Sequence, residues 1–226
     1  MIEHAGLALA TAAFVGTHLA LSHPLRTKLV QNVGEAGFTG LYSVVALLTL
    51  GWTILAFTAI DVSVPLWVAP GWWWPIAAAV MLFAFVLLVG SFVKNPAFPH
   101  PHAAKQAARP ATGVFAITRH PMNWAIILWA LVHVPLATPR IVILAVGMLI
   151  LTLAGSIGQD RKKRAVVGRA WQDWEKRTSF VPFAALLTGR AKWANAAPGW
   201  IALGGGAALW ALAIWLHAPG VFSLEA

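Results

Sequence analysis

Cysteine is absent from this chain. Disulfides, thiolate metal sites, iron–sulfur clusters and covalent c-type haem attachment are therefore excluded, and any tightly held metal must use His, Asp, Glu, Met or backbone oxygen. Charge is also scarce, since Asp, Glu, Lys and Arg make up only 10% of the 226 residues. Soluble domains carry about a quarter. The first apolar segment lacks a basic n-region, because Glu3 and His4 precede it, and no cleavage site follows, so it reads as a retained helix rather than a leader. What is present is apolar: 59% hydrophobic residues and a mean hydropathy of +0.74. This is the composition of an integral membrane protein.

Six apolar segments, at about 4–23, 38–60, 72–94, 120–137, 141–158 and 197–217, each approach the ~20 residues of a bilayer-spanning helix. The fourth and fifth are the shortest, and the tight link Ala137-Thr138-Pro139-Arg140 predicts an antiparallel hairpin. Placing the N-terminus outside puts fifteen of the 16 basic residues in inner connections, with Arg140 alone outside. Basic residues concentrate on the cytoplasmic side, which predicts an N-out, C-out, all-α bundle spanning residues 1–226 as one domain in the bacterial inner membrane. The same bias accounts for the net charge of +9 and a pI near 11.0 without nucleic acid; the partners it implies are the lipid bilayer and anionic lipid headgroups.

The stretch Thr118-Arg119-His120-Pro121-Met122-Asn123-Trp124 opens a helix, with Thr118 able to cap and Pro121 suited to a first turn. From Ala125 to Leu136 its only ionisable side chain is His133, and an ionisable group at that depth is a functional candidate by default. In the first segment His4, Thr11, His18 and Ser22 fall along one helical stripe that should face protein; His18 is its candidate ligand, and His4 and His23 near the ends read as structural. Gly34, Gly37 and Gly40 at three-residue spacing predict close helix packing, and Glu35 predicts an ion pair with Arg26 or Lys28. Trp67 with Trp72-Trp73-Trp74 predicts an interfacial aromatic belt. The Pro-rich loop from Asn95 to Ile117 should be irregular, and its His100-Pro101-His102 is a poor chelate without an evident third ligand.

After the fifth segment comes Gln159-Asp160-Arg161-Lys162-Lys163-Arg164. Beyond it Val167, Trp171, Trp174 and Thr178 share a face opposite most of the charge, which predicts an amphipathic helix in the headgroup plane on the inner side. It lies on the same side as Arg119-His120-Pro121, so a small hydrophobic or anionic ligand could be held between the two basic mouths.

Several spaced motifs together resemble the NnrU family of bacterial membrane proteins. They are His18 to Arg26, Gly34-Glu35 to Tyr42-Ser43, Arg119-His120-Pro121-Met122 with Trp129-Ala130-Leu131-Val132-His133, Gln159-Asp160-Arg161-Lys162, and Thr178-Ser179-Phe180-Val181-Pro182-Phe183, covering roughly 1–185. The resemblance implies a link to nitrogen-oxide metabolism in denitrifying bacteria. The family is similar to 15-cis-zeta-carotene isomerases, which hold b-type haem through histidines; the matching positions here are His18 and His133, while Ala130 stands where those isomerases have a cysteine. Two neutral imidazoles are a sound axial pair for haem iron. A second similarity, to isoprenylcysteine carboxyl methyltransferases that use S-adenosylmethionine, matches His120, Asp160 and Gly168, with Asn123 in place of that group's tyrosine. A third expectation is an accessory role in maturation, without catalysis. Cofactor-binding candidates are thus His18, His133, Arg119 and His120, with haem b as the expected cofactor. His133 lies 13 residues past His120, about 20 Å along a helix and on another face, so these two belong to separate sites.

Overall fold

A computed structural model describes residues 2–61, 66, 68–98, 102–136 and 138–217. Trp67, His100, Pro101 and Ala137, on which expectations for the aromatic belt, the loop histidines and the hairpin link fall, lie outside the described residues. Among the described residues there is no strand. The helices are α1 (Ile2–Ser22), α2 (Arg26–Thr58), α3 (Trp73–Gly90), α4 (Ala103–Ala107), α5 (Val114–Ile117), α6 (Pro121–His133), α7 (Pro139–Val166), α8 (Arg169–Arg177), α9 (Ala184–Leu187) and α10 (Trp200–Leu216). Four of them, α1, α2, α3 and α7, are long and apolar enough to cross a membrane, while α6 and α10, with 13 and 17 residues, are shorter. The chain forms two compact units, Met1–Ala69 with Ala130–Lys162, and Pro70–Trp129 with Lys163–Ala226.

In the first unit α1 packs along α2, and the buried stripe of α1 is Leu7, Ala10, Thr11, Phe14 and Val15. Its contact with α7 is close. A Cβ on Gly147 would crowd the Thr11 methyl carbon, so glycine lets the two helices meet there. Arg140 near the start of α7 donates from Nη1 to the Ile60 carbonyl at 2.8 Å and lies over the Phe57 ring at 4.9 Å, which ties α7 to the end of α2. Two sequence expectations change here. First, α7 is not short: it runs 28 residues and carries Gln159 to Arg164 as helix, because a helix already propagating extends at little cost and the buried Lys163 ammonium donates to the Phe98 carbonyl at 3.1 Å. Second, Gly34 is a kink, with φ 73° and ψ 170° inside α2, and neither Gly34 nor Gly40 has any atom within 4 Å of an added Cβ. Conformational freedom, not close packing, is what Gly34 supplies.

The ion pair expected at Glu35 forms with Arg26, whose Nη2 reaches Oε1 and Oε2 at 3.0 and 2.8 Å. The Glu35 side chain is 66% exposed, so Glu35→Gln should cost less than about 1 kcal/mol, read as a small shift in thermal unfolding of detergent-solubilised protein.

The second unit is organised by a buried cluster in which Leu87, Phe115, Trp171 and Trp174 are central. In it α10 lies against α3, with Trp210 Nε1 donating to the Ala78 carbonyl at 2.8 Å. An added Cβ on Gly206 would stand 2.8 Å from the N and Cα of Val86, which is backbone against backbone. The expected irregular loop contains two short helices, α4 and α5, packed on α8 and α9 respectively. The amphipathic face of α8 is real, but protein covers it. Trp171 is 0% and Trp174 3% exposed, with the Phe115 ring 6.1 Å from that of Trp174, so this face fills the unit's core and is not available to lie in lipid headgroups. Arg164 clamps the helix by a bidentate pair to Glu175 at 2.7 and 2.8 Å.

Candidate functional site

The first cluster of interest lies at the second half of α1. The expected polar stripe does face protein: Thr11 meets α7, while His18 and Ser22 meet Tyr42 of α2. The ring of His18 is 4.4 Å from that of Phe14 and 5.3 Å from that of Tyr42, the latter edge-on, and Ser22 Oγ donates to the Tyr42 hydroxyl at 3.4 Å. Nδ1 of His18 stands 3.2 Å from the Phe14 carbonyl. A carbonyl can only accept, so Nδ1 carries the proton and Nε2 keeps its lone pair. This is the tautomer and the backbone support found on metal-ligating imidazoles. Phe14 and Tyr42 flank the imidazole, and Phe38, with the Arg26 guanidinium 5.3 Å over its ring, lies 6.1 Å beyond Tyr42. His18 therefore fits the role of an axial imidazole to haem iron.

His133 belongs to the same unit and is the last residue of α6, half-buried, just before the 3-10 turn Val134–Leu136. No hydrogen bond or ring contact joins it to His18, whose contacts are with α1 and α2. Among the described residues no group of three or more His, Asp and Glu side chains is arranged to hold a metal ion.

His23, five residues beyond His18, is structural, as its position at the helix end implied. Its imidazole packs directly on α7 at Gly158, where an added Cβ would overlap the ring. Burial first, and the Lys162 ammonium second, hold its pKa below the usual range. The unfolded chain thus takes up the proton more readily than the folded one. The associated stability is complete above about pH 6.5 and declines as pH falls from there through the lower folded value. Thermal stability measured between pH 8 and 5 should drop in this window, and His23→Leu should flatten the drop.

Arg119 and His120 lie in the second unit, at a joint that sequence reading did not foresee. The Arg119 amide donates to the Ser179 carbonyl at 2.9 Å, the Phe183 amide to Ile117 at 2.8 Å, and Thr118 Oγ1 and Trp124 Nε1 both donate to Phe180 at 2.7 and 2.8 Å. Two distant motifs, Thr118-Arg119-His120-Pro121 and Thr178 to Phe183, are thereby locked together. His120 is 3% exposed with its ring 5.8 Å from Phe180. Phe183, in a left-handed conformation at φ 65°, stacks between Phe83 at 5.8 Å and Trp193 at 6.4 Å. The signal for this joint was present as two motifs of buried hydroxyls and aromatics, but nothing in either one named the other. Of the positions matching a methyltransferase, His120 and Gly168 lie in the second unit and Asp160, 6% exposed, in the first. Gly168 stands at the N-terminus of α8 with φ 68°.

The profile of a family described as NnrU protein matches residues 6–223. Two curated relatives are similar to part of the chain, both named 15-cis-zeta-carotene isomerase, chloroplastic. That of Zea mays is 37% identical over 82 residues, covering 36% of this chain and 22% of its own. That of Arabidopsis thaliana is 35% identical over 80 residues, covering 35% and 22%. The chain thus spans about a fifth of the length of the curated relatives it matches. No solved structure matches at a significant level.

Proposed function

The chain belongs to the NnrU family, and from that premise we propose that it is a multi-pass protein of the bacterial inner membrane, acting in nitrogen-oxide metabolism, that holds a b-type haem through His18 and His133. The observation that carries this reading is the His18 imidazole, with Nδ1–H fixed on the Phe14 carbonyl, Nε2 left as a ligand atom and the Phe14 and Tyr42 rings flanking it. Bound haem supplies one-electron exchange at a potential set by its ligands and the polarity around them. The chain's own part is to fix the tautomer, orient the ring and exclude water. The Phe14 carbonyl does the first, and the Phe14 and Tyr42 rings do the other two. His133 is the proposed second imidazole. Arg119 and His120 are proposed as an anion-holding pair at their own joint.

A second reading, isomerisation of an apolar polyene, is supported by the names of the two relatives, and it uses the same histidines. The test of the first is a pyridine haemochrome assay on the full chain purified in detergent from haem-replete cells. About one haem b per chain is expected. Protein that folds, yet carries no haem under those conditions, overturns the proposal.

A further inference from the structure

In the second unit a cavity of about 500 Å³ lies where the end of α3, the start of α10 and the segment from Gln106 to Phe115 converge. This is the volume of a small-molecule site. Its cations are Lys94 and Arg109, both exposed, and neither forms a hydrogen bond or ion pair from its side chain among the described residues. No carboxylate among the described residues lines it. Trp174 and Gln106 also line it, with the Trp174 Nε1 and Gln106 Oε1 atoms themselves closed off within the protein. The rest of the wall is mostly apolar, with Trp200 and Ile201, and Thr112 and Asn195 add neutral polar groups.

These requirements define a chemistry. Two uncompensated cations call for an anion with several acceptor oxygens. We propose that this cavity binds a phosphate group, the chemistry shared by an anionic phospholipid headgroup and a soluble polyol phosphate. Neither Arg119 nor His120 lines it, so the site is separate from the joint those residues form. Lys94 itself sits at φ 53°, a conformation that glycine adopts more easily, so Lys94→Gly removes the charge while relaxing the backbone.

The test uses the full chain in detergent, by native mass spectrometry and thermal shift, with phosphatidylglycerol, phosphatidylcholine and glycerol 3-phosphate as separate probes. Phosphatidylglycerol or glycerol 3-phosphate is expected to bind in preference to phosphatidylcholine. Lys94→Gly and Arg109→Ala should each weaken that binding about tenfold, while Lys105→Ala, a nearby exposed cation that does not line the cavity, should leave it unchanged. Binding confined to phosphatidylglycerol assigns a lipid headgroup; equal binding of glycerol 3-phosphate assigns a soluble ligand. Binding of neither, or an equal loss in Lys105→Ala, overturns the proposal.

Discussion

Gly206→Leu should prevent α3 and α10 from packing. The site where a side chain would begin is already within 2.8 Å of the Val86 backbone, and backbone atoms cannot rotate aside as a flexible side chain can. Relief therefore requires one helix to move away from the other. That separation loosens the contacts around Ala202 and Val86, and strains the hydrogen bond from Trp210 to Ala78. Even Gly206→Ala should cost about 1–3 kcal/mol, the usual range for overpacking, and the leucine variant should fall beyond it. Gly204→Ala, two residues away on the same helix, is the matched control. Nothing lies within 4 Å of its Cβ, so it should be neutral or stabilising by up to about 1 kcal/mol through helix propensity. Thermal unfolding followed by size-exclusion chromatography in detergent separates these outcomes; equal stability of the 204 and 206 variants would contradict the close approach.

The second large effect is expected at His18. Its replacement by alanine removes the proposed iron ligand outright, and losing even an outer partner of a metal ligand typically costs 10–100-fold in affinity. His18→Ala should therefore lower copurifying haem by at least that factor, or leave it with an altered Soret band. His23→Ala is the control. It removes an imidazole of the same helix end, but one whose ring is packed on Gly158 and plays no part in the proposed site, so the spectrum should survive. Tyr42→Phe keeps the edge-on ring beside His18 and loses only the hydroxyl contact to Ser22, so it too should retain haem. A proportional loss of haem in all three variants would mean the histidine effect is one of folding.

The elements that could be foreseen were those written in hydropathy and periodicity. Apolar runs place α1, α2, α3 and α7, and the seven-residue spacing of His4, Thr11 and His18 places the protein-facing side of α1. The pairing of Glu35 with Arg26 follows from opposite charges on one short segment. The elements that could not be foreseen depend on what covers a face. The apolar face of α8 is the clearest case. A stripe of Trp171 and Trp174 is equally suited to lipid and to a protein core, and only the tertiary placement of Phe115 decides for the core. Gly34 is another, because a glycine that serves a kink looks the same in sequence as one that serves packing. The joint between Thr118 and Phe180 is a third. It is built from hydrogen bonds to backbone carbonyls, and any residue has a carbonyl to offer.

Near-infrared magnetic circular dichroism of the ferric protein reads the identity of both axial ligands at once, and so bears most directly on the claim that two intramembrane imidazoles hold a haem. The account predicts the charge-transfer band of a low-spin bis-histidine centre, lost when either His18 or His133 is replaced by alanine. A band of another ligand pair, or a bis-histidine band that persists without His18, would contradict it.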